Sequence, residues 1–214
     1  MSSTSPSNMY NNHKPLTYLA LGDSYTIGES VSYDECFPVQ TQKIIERIHL
    51  IEKPVIVATT GWTTDELILN ITKRKLVGTY DFVTLLIGVN NQYRGRDTAN
   101  YRKEFSQLLD TAIRLAGNNI KNVFVISIPD WGITPFGINS GRDTAQISKE
   151  IDWFNGIAKW ITETRGITFI DITPHSRTAK NDATLIALDG LHPSGKMYTE
   201  WAQKLGDKMK LRIQ

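Results

Sequence analysis

Leu16-Thr17-Tyr18-Leu19-Ala20-Leu21, followed at once by Gly22-Asp23-Ser24-Tyr25, is the stretch from which the fold can be read. A short apolar run that stops at a Gly-Asp-Ser turn reads as a strand covered on both faces, leaving its sheet through a tight bend. Four further runs rich in Val, Ile, Leu and Phe repeat the pattern, at residues 54–59, 82–87, 122–128 and 167–172. The segments between them carry the longer period of helices. Thr63-Thr64-Asp65-Glu66 has the spacing of a capping box, and Leu67, Ile68 and Ile71 supply the apolar stripe behind it. Tyr101, Phe105, Leu108, Leu109, Ala112, Ile113 and Ala116 recur at steps of three and four, as do Ile147, Ile151, Phe154, Ala158 and Ile161. Met197, Trp201, Leu205 and Met209 line a last helix.

Five strands alternating with helices predict an α/β fold: a three-layer α/β/α sandwich around a five-stranded parallel sheet, with right-handed crossovers. One domain is expected over residues 16–214. Residues 1–15, rich in Ser and Asn, are expected to be a flexible N-terminal lead. In such a sheet the functional crevice lies beyond the carboxyl ends of the strands. Ser24 follows the first strand, Gly61 the second and Asn90 the third, so all three should meet at one edge.

The bulk properties narrow the classes. At 214 residues and 40% hydrophobic, the chain is long enough for one sizeable core and short for two. Its 24 basic and 22 acidic side chains leave a net charge of +2, which disfavours a nucleic-acid partner. The one basic cluster, Lys73-Arg74-Lys75, falls where a helix ends and complements its dipole. Cys36 is the single cysteine, so no intrachain disulfide can form and no zinc site needing two thiolates is available. The histidines at 13, 49, 175 and 192 are scattered without metal-ligand spacing. Residues 1–15 hold no apolar secretory core, and no run approaches 18 apolar residues. A cytoplasmic location without a membrane span is expected.

The chemistry-bearing residues gather in four places. Gly22-Asp23-Ser24 is a good turn and helix cap, because Asp and Ser side chains accept backbone N–H bonds. It is equally a place for a nucleophile, where Ser24 projects its hydroxyl into the crevice and offers its own N–H to an oxyanion. Leu191-His192-Pro193-Ser194-Gly195 suits a loop entering a helix capped by Ser194. Asp189, three residues before His192 and separated by Gly190, is spaced to accept a bond from one imidazole nitrogen. The other nitrogen is then free to take a serine proton. Gly61 offers a backbone N–H approachable without a Cβ, and Asn90 a side-chain amide, although each is also an ordinary turn residue.

Together these residues resemble the SGNH, or GDSL, hydrolase family. The four blocks Gly22-Asp23-Ser24, Gly61, Gly88-Val89-Asn90-Asn91 and Asp189-Gly190-Leu191-His192 stand in the family's order across nearly the whole domain. The resemblance implies a flavodoxin-like sandwich and carboxylic ester hydrolysis through a Ser-His-Asp triad and an acyl-enzyme, with no cofactor. It implies Ser24 as nucleophile, His192 as base, Asp189 as its orienting partner, and Ser24, Gly61 and Asn90 as the oxyanion hole. The partner it implies is a small-molecule ester, with esterase, lysophospholipase and acetylesterase activities all within its range. One position departs from the family: the third block usually ends in Asp, and here it ends in Asn91. That residue is expected to support the loop rather than the chemistry.

Two stretches at the same edge are candidates to shape the pocket: Gln92-Tyr93-Arg94-Gly95, and the long loop at 129–137 with Trp131 and Phe136. Trp131 and Phe136 suit an acyl chain, and Arg94 an anionic or sugar group. Asp130 and Cys36 read as structural. The competing class is a non-catalytic module that binds acyl groups or anions on the same fold. A flavin or nucleotide domain is a further alternative, but the loop after the first strand lacks both Gly-x-Gly-x-x-Gly and Gly-x-x-x-x-Gly-Lys-Ser/Thr.

Overall fold

The computed structural model describes residues 14–76 and 78–213. Within them the five expected strands are β1 (Tyr18–Gly22), β2 (Val55–Ala58), β3 (Phe82–Leu86), β4 (Val123–Ile126) and β5 (Thr168–Ile170). They form one parallel sheet in the order β2-β1-β3-β4-β5. Burial follows position in that order. Every residue of β1, β3 and β4 is buried, whereas the edge strands β2 and β5 are only partly covered. Near-continuous Val, Ile, Leu and Phe in the central strands therefore answers to layers packed on both faces. The one polar side chain at the centre, Thr84, sits 3.0 Å from the Tyr18 hydroxyl and is satisfied by it.

Nine α-helices are present among the described residues. They are α1 (Ser24–Ile27), α2 (Phe37–Glu46), α3 (Thr64–Arg74), α4 (Val89–Tyr93), α5 (Thr98–Leu115), α6 (Pro135–Asn139), α7 (Thr144–Thr164), α8 (Thr173–Ser176) and α9 (Gly195–Lys210). The helices cover both faces of the sheet, α2 packing along α9 and α5 lying between α3 and α7. The capping box opens α3 as its spacing predicts: the Thr63 N–H donates to Glu66 Oε2 at 2.9 Å, and its hydroxyl lies 3.0 Å from the same oxygen. Lys73 and Arg74 close that helix, complementing its dipole. The apolar stripe of α9 is buried throughout, with Met197, Trp201, Leu205 and Met209 each no more than 1% exposed. The expected N-terminal lead lies outside the described residues as far as residue 13.

Helix α2 has no counterpart in the sequence reading. Its buried face mixes Phe37, Val39 and Ile45 with Pro38, Thr41 and Gln42, which breaks the apolar period. Thr41 is tolerated there because its hydroxyl donates to the Phe37 carbonyl at 2.8 Å.

What positions the later chemistry is the register at the end of β1. Gly22 pairs with Ala58 on one side and with Leu86 on the other, so three strands stop at one level. Gly22 itself is sterically obligatory. A Cβ there would lie 2.0 Å from Thr26 Oγ1 and 2.4 Å from the Leu86 carbonyl oxygen, and that oxygen belongs to the sheet and cannot give way. Gly22→Ala is expected to cost about 2–3 kcal/mol or more. Urea denaturation reads this as a lowered midpoint with an unchanged slope. A midpoint equal to wild type would show that α1 can move away from the sheet at no cost.

Candidate active site

The loops that leave β1, β2 and β3 bring three of the singled-out residues to one cavity of about 200 Å³, which is lined by Ser24, Gly61, Asn90 and His192. After Gly22, Asp23 caps the four-residue α1, its Oδ1 accepting the Tyr25 N–H at 3.1 Å. Ser24 is therefore the first residue of a helix that starts without any intervening loop. It is buried to 5% exposure, yet it lines the cavity. Gly28, at φ +75°, ends α1 and returns its N–H to the Ser24 carbonyl. The turn after β2 carries Gly61 at φ +84°, a left-handed conformation that side-chain-bearing residues resist. Gly88 ends the turn after β3 at φ +131°, and a Cβ there would fall 2.8 Å from the Tyr101 ring.

Asn90 and Asn91 divide the work of the third turn. Asn90 lines the cavity and donates one amide hydrogen to the Trp62 carbonyl at 3.0 Å, which leaves its second N–H uncommitted by that bond. Asn91 points the other way and is buried to 1%. Its Oδ1 accepts the Thr64 N–H at 3.1 Å and its Nδ2 donates to Thr64 Oγ1 at 2.7 Å. The Thr64 hydroxyl in turn donates to Glu104. An aspartate at 91 would have no hydrogen to give, so the Thr64 hydroxyl would have to turn toward it and abandon Glu104. The asparagine thus carries a three-group chain that ties α4, α3 and α5 together.

The fourth stretch arrives by a different route. Asp189 Oδ1 accepts the N–H groups of Leu191 (2.9 Å) and His192 (3.0 Å), which folds the tetrapeptide into a closed turn with Gly190 at φ +74°. Oδ2 lies 2.5 Å from His192 Nδ1 and also accepts the Ser30 hydroxyl at 2.8 Å. Burial opposes ionisation of Asp189, but the bonds from the His192 ring, the two N–H groups and Ser30 outweigh it and hold its carboxyl at about 2. A carboxylate facing Nδ1 favours the tautomer that carries its proton on that nitrogen. The His192 ring is 7% exposed and rests 5.3 Å from the Tyr25 ring.

The cavity's remaining wall is aromatic. Tyr93, Trp131 and Phe136 meet with ring centroids 5.3 to 6.3 Å apart. Trp131 is fixed by its Nε1–H bond to Gln92 Oε1 (2.7 Å), and Arg142 lies 4.6 Å over Tyr93 and 5.7 Å from Trp131. Arg94, in contrast, is directed away from the ligand role its sequence position suggested. Its Nη2 donates to the Gly61 carbonyl at 2.6 Å and its Nη1 pairs with Glu66, so it braces the second turn. Asp130 pairs with Arg177 at 2.9 Å beneath the loop, and Cys36 is buried with its thiol donating to the Tyr33 carbonyl. Ser30 and Arg142 were not singled out from the sequence, and Tyr25 was quoted only as part of the first motif, with no role given to it. Ser30 and Arg142 lie in stretches with no periodic or motif signal, and each is brought to the site by a turn. Among the described residues, no three His, Cys, Asp or Glu side chains cluster closely enough to hold a metal ion. No described helix is long and apolar enough to cross a membrane.

Comparison with known proteins adds a family. The model of the GDSL-like Lipase/Acylhydrolase family matches residues 20–199. No curated protein matches the chain. The lipase/acylhydrolase from Enterococcus faecalis superposes with a TM-score of 0.70 at 18% identity, over 93% of this chain and 97% of that one. A lipase from a goat rumen metagenome gives 0.70 at 21% identity, over 90% and 97%. A variant of an acetyl xylan esterase from Geobacillus stearothermophilus gives 0.65 at 16% identity, over 93% and 96%. At such identities the structural likeness speaks for the fold.

Asp23 provides a test of the site's electrostatics. It is fully buried, its Oδ2 has no hydrogen-bond partner, and burial pushes its carboxyl from the ordinary 3.8 up to about 8. Between those two values the folded chain holds a proton that the unfolded chain has lost. Stability therefore falls as pH rises from about 4 to about 8, and the loss is complete above that. Asp23→Asn, which mimics the protonated group, should remove this fall. Unfolding free energies at pH 5, 7 and 9 are expected to show wild type losing ground to the variant as pH rises, whereas a constant difference would mean Asp23 does not titrate in that window.

Proposed function

The chain belongs to the GDSL-like lipase/acylhydrolase family, and on that premise we propose that it is a serine esterase acting on carboxylic esters of small molecules. In this reading His192 takes the Ser24 proton, and the Ser24 oxygen attacks the ester carbonyl. The Ser24 N–H, the Gly61 N–H and the Asn90 amide hold the resulting oxyanion. His192 then passes the proton to the departing alcohol, and a water activated by the same ring hydrolyses the acyl-enzyme. Asp189 remains ionised throughout and steadies the imidazolium.

One observation carries the reading: a carboxylate 2.5 Å from His192 Nδ1, on a ring that lines the same cavity as Ser24. A module that only bound acyl groups or anions would have no use for that carboxylate, which fixes a tautomer and offsets a cation. The cavity also supports a substrate class. At about 200 Å³ it falls below the roughly 300–1,000 Å³ of drug-sized pockets. With Tyr93, Trp131 and Phe136 as its wall, it favours a short acyl group over a long fatty chain.

With p-nitrophenyl acetate, Ser24→Ala is expected to fall to the background rate while keeping a wild-type melting curve. If it retains wild-type turnover, Ser24 is not the nucleophile and the binding-module alternative takes the lead. In a series of p-nitrophenyl esters, kcat/KM should peak at short acyl chains, and a rise through dodecanoate would show that the aromatic wall opens. Asn90→Ala is expected to lower kcat on the order of 10²–10³-fold with little change in KM. A change confined to KM would make Asn90 a binding residue instead.

A further inference from the structure

The turn that follows α1 joins three blocks of the site. The Ser24 carbonyl accepts the N–H groups of Gly28 at 3.1 Å and Glu29 at 3.0 Å, so the turn hangs from the candidate nucleophile itself. The Glu29 carboxylate accepts the hydroxyl of Thr60, next to Gly61. Ser30 donates to Asp189 Oδ2, the same oxygen that faces His192 Nδ1. The other bonds to Asp189 come from within its own turn, from Leu191 and His192. Ser30 is thus the tie between the Asp-His turn and the strand that delivers Ser24. Its backbone sits at φ +66°, in the left-handed region where a Cβ is unfavourable. Glycine or asparagine is the ordinary occupant of such a position, and a serine there keeps a hydroxyl at the expense of backbone strain.

We infer that Ser30 is a positioning residue: its hydroxyl holds the Asp189–His192 pair against the nucleophile turn and sets how strongly that carboxylate stabilises the imidazolium. The inference rests on the esterase reading for its kinetic consequence, but the bond itself does not. A hydroxyl donating to Oδ2 withdraws charge that would otherwise fall on the ring. Without it the carboxylate is more basic and holds the imidazolium more firmly. The base then stays protonated to higher pH, and the acid limb of kcat/KM moves upward. The titratable groups around the pair are Asp189 and Glu29, the Tyr25 ring 5.3 Å from that of His192, and the buried Tyr198 and Asp23, whose burial favours their neutral forms. Among these, Asp189 alone touches both Ser30 and His192.

Two substitutions separate the hydroxyl from the strain. Ser30→Gly removes the hydroxyl and relieves the left-handed backbone, whereas Ser30→Ala removes the hydroxyl and keeps the Cβ. Both are expected to move the acid limb of kcat/KM upward by about half a pH unit, which is about threefold in activity on that limb. The same shift should appear in an NMR titration of the His192 ring protons, which needs no turnover. If Ser30→Gly keeps the wild-type profile and titration, and Ser30→Ala merely melts earlier, Ser30 is a structural turn residue and the inference is overturned. Ser24→Ala measured beside them keeps the two readings apart. An inactive Ser24→Ala with unshifted Ser30 variants sinks only the role of Ser30. An active Ser24→Ala sinks the esterase reading, and the NMR titration then decides the Ser30–Asp189–His192 linkage by itself.

Discussion

The level at which β1, β2 and β3 stop is the constraint that the rest of this structure obeys. Parallel strands in register deliver their carboxyl ends side by side, and here Gly22 stands between Ala58 and Leu86. Within a few residues of each end the chain turns through a glycine or a cap and presents one side chain or peptide to a common cavity. Short helices make this economical. The four residues of α1 and the five of α4 have no room to drift, so Ser24 and Asn90 inherit their positions from the sheet. The register in turn depends on complete burial of β1 and β3, since a slip by one residue would turn every side chain to the opposite layer.

Polar burial completes what the sheet begins. Asn91, Thr64 and Glu104 form a chain in which Asn91 and Thr64 each give one hydrogen and receive another, and the Glu104 carboxylate accepts at the end. Such a chain lets the loop after β3 sit in the interior without an orphaned amide. The aromatic wall is held the same way: Trp131 is fixed through Gln92, which itself donates to Glu150 at 2.7 Å. Arg142 covers the outer side, donating to the Tyr93 carbonyl at 2.9 Å. Asp23 is one of five described side chains with a buried polar atom left without a partner. Its carboxyl lies in the interior with one oxygen unpaired, and the burial that pushes it up to about 8 favours the neutral acid.

Much of this was legible in the residues. Central strands read plainly because burial on both faces leaves them almost wholly apolar, with Thr84 paired to the Tyr18 hydroxyl, and α3, α5, α7 and α9 read plainly because their stripes are long. Three of the four motif blocks were legible for a related reason: they sit just after the ends of β1, β2 and β3, where sequence position translates directly into place, whereas the block at 189–192 was legible through its Asp-x-x-His spacing. What escaped reading lies where contact is made across the chain. Helix α2 was hidden by Pro38, Thr41 and Gln42 on its buried side. Ser30 carries no pattern at all, because its partner is 159 positions away. Arg94 was placed at the right edge, but its direction depends on the Gly61 carbonyl and Glu66, and no local rule supplies that.

The bond between Ser30 and Asp189 also has a consequence in time. A ribosome adds residues in order, and the early strand with Ser24 emerges long before the turn that bears His192. The sheet's own strands end at Ile170, so all five precede the histidine in the order of synthesis. A chain ending before residue 189 would therefore keep all five strands but lack Leu191 and His192 from the cavity wall and Asp189 as the partner of Ser30.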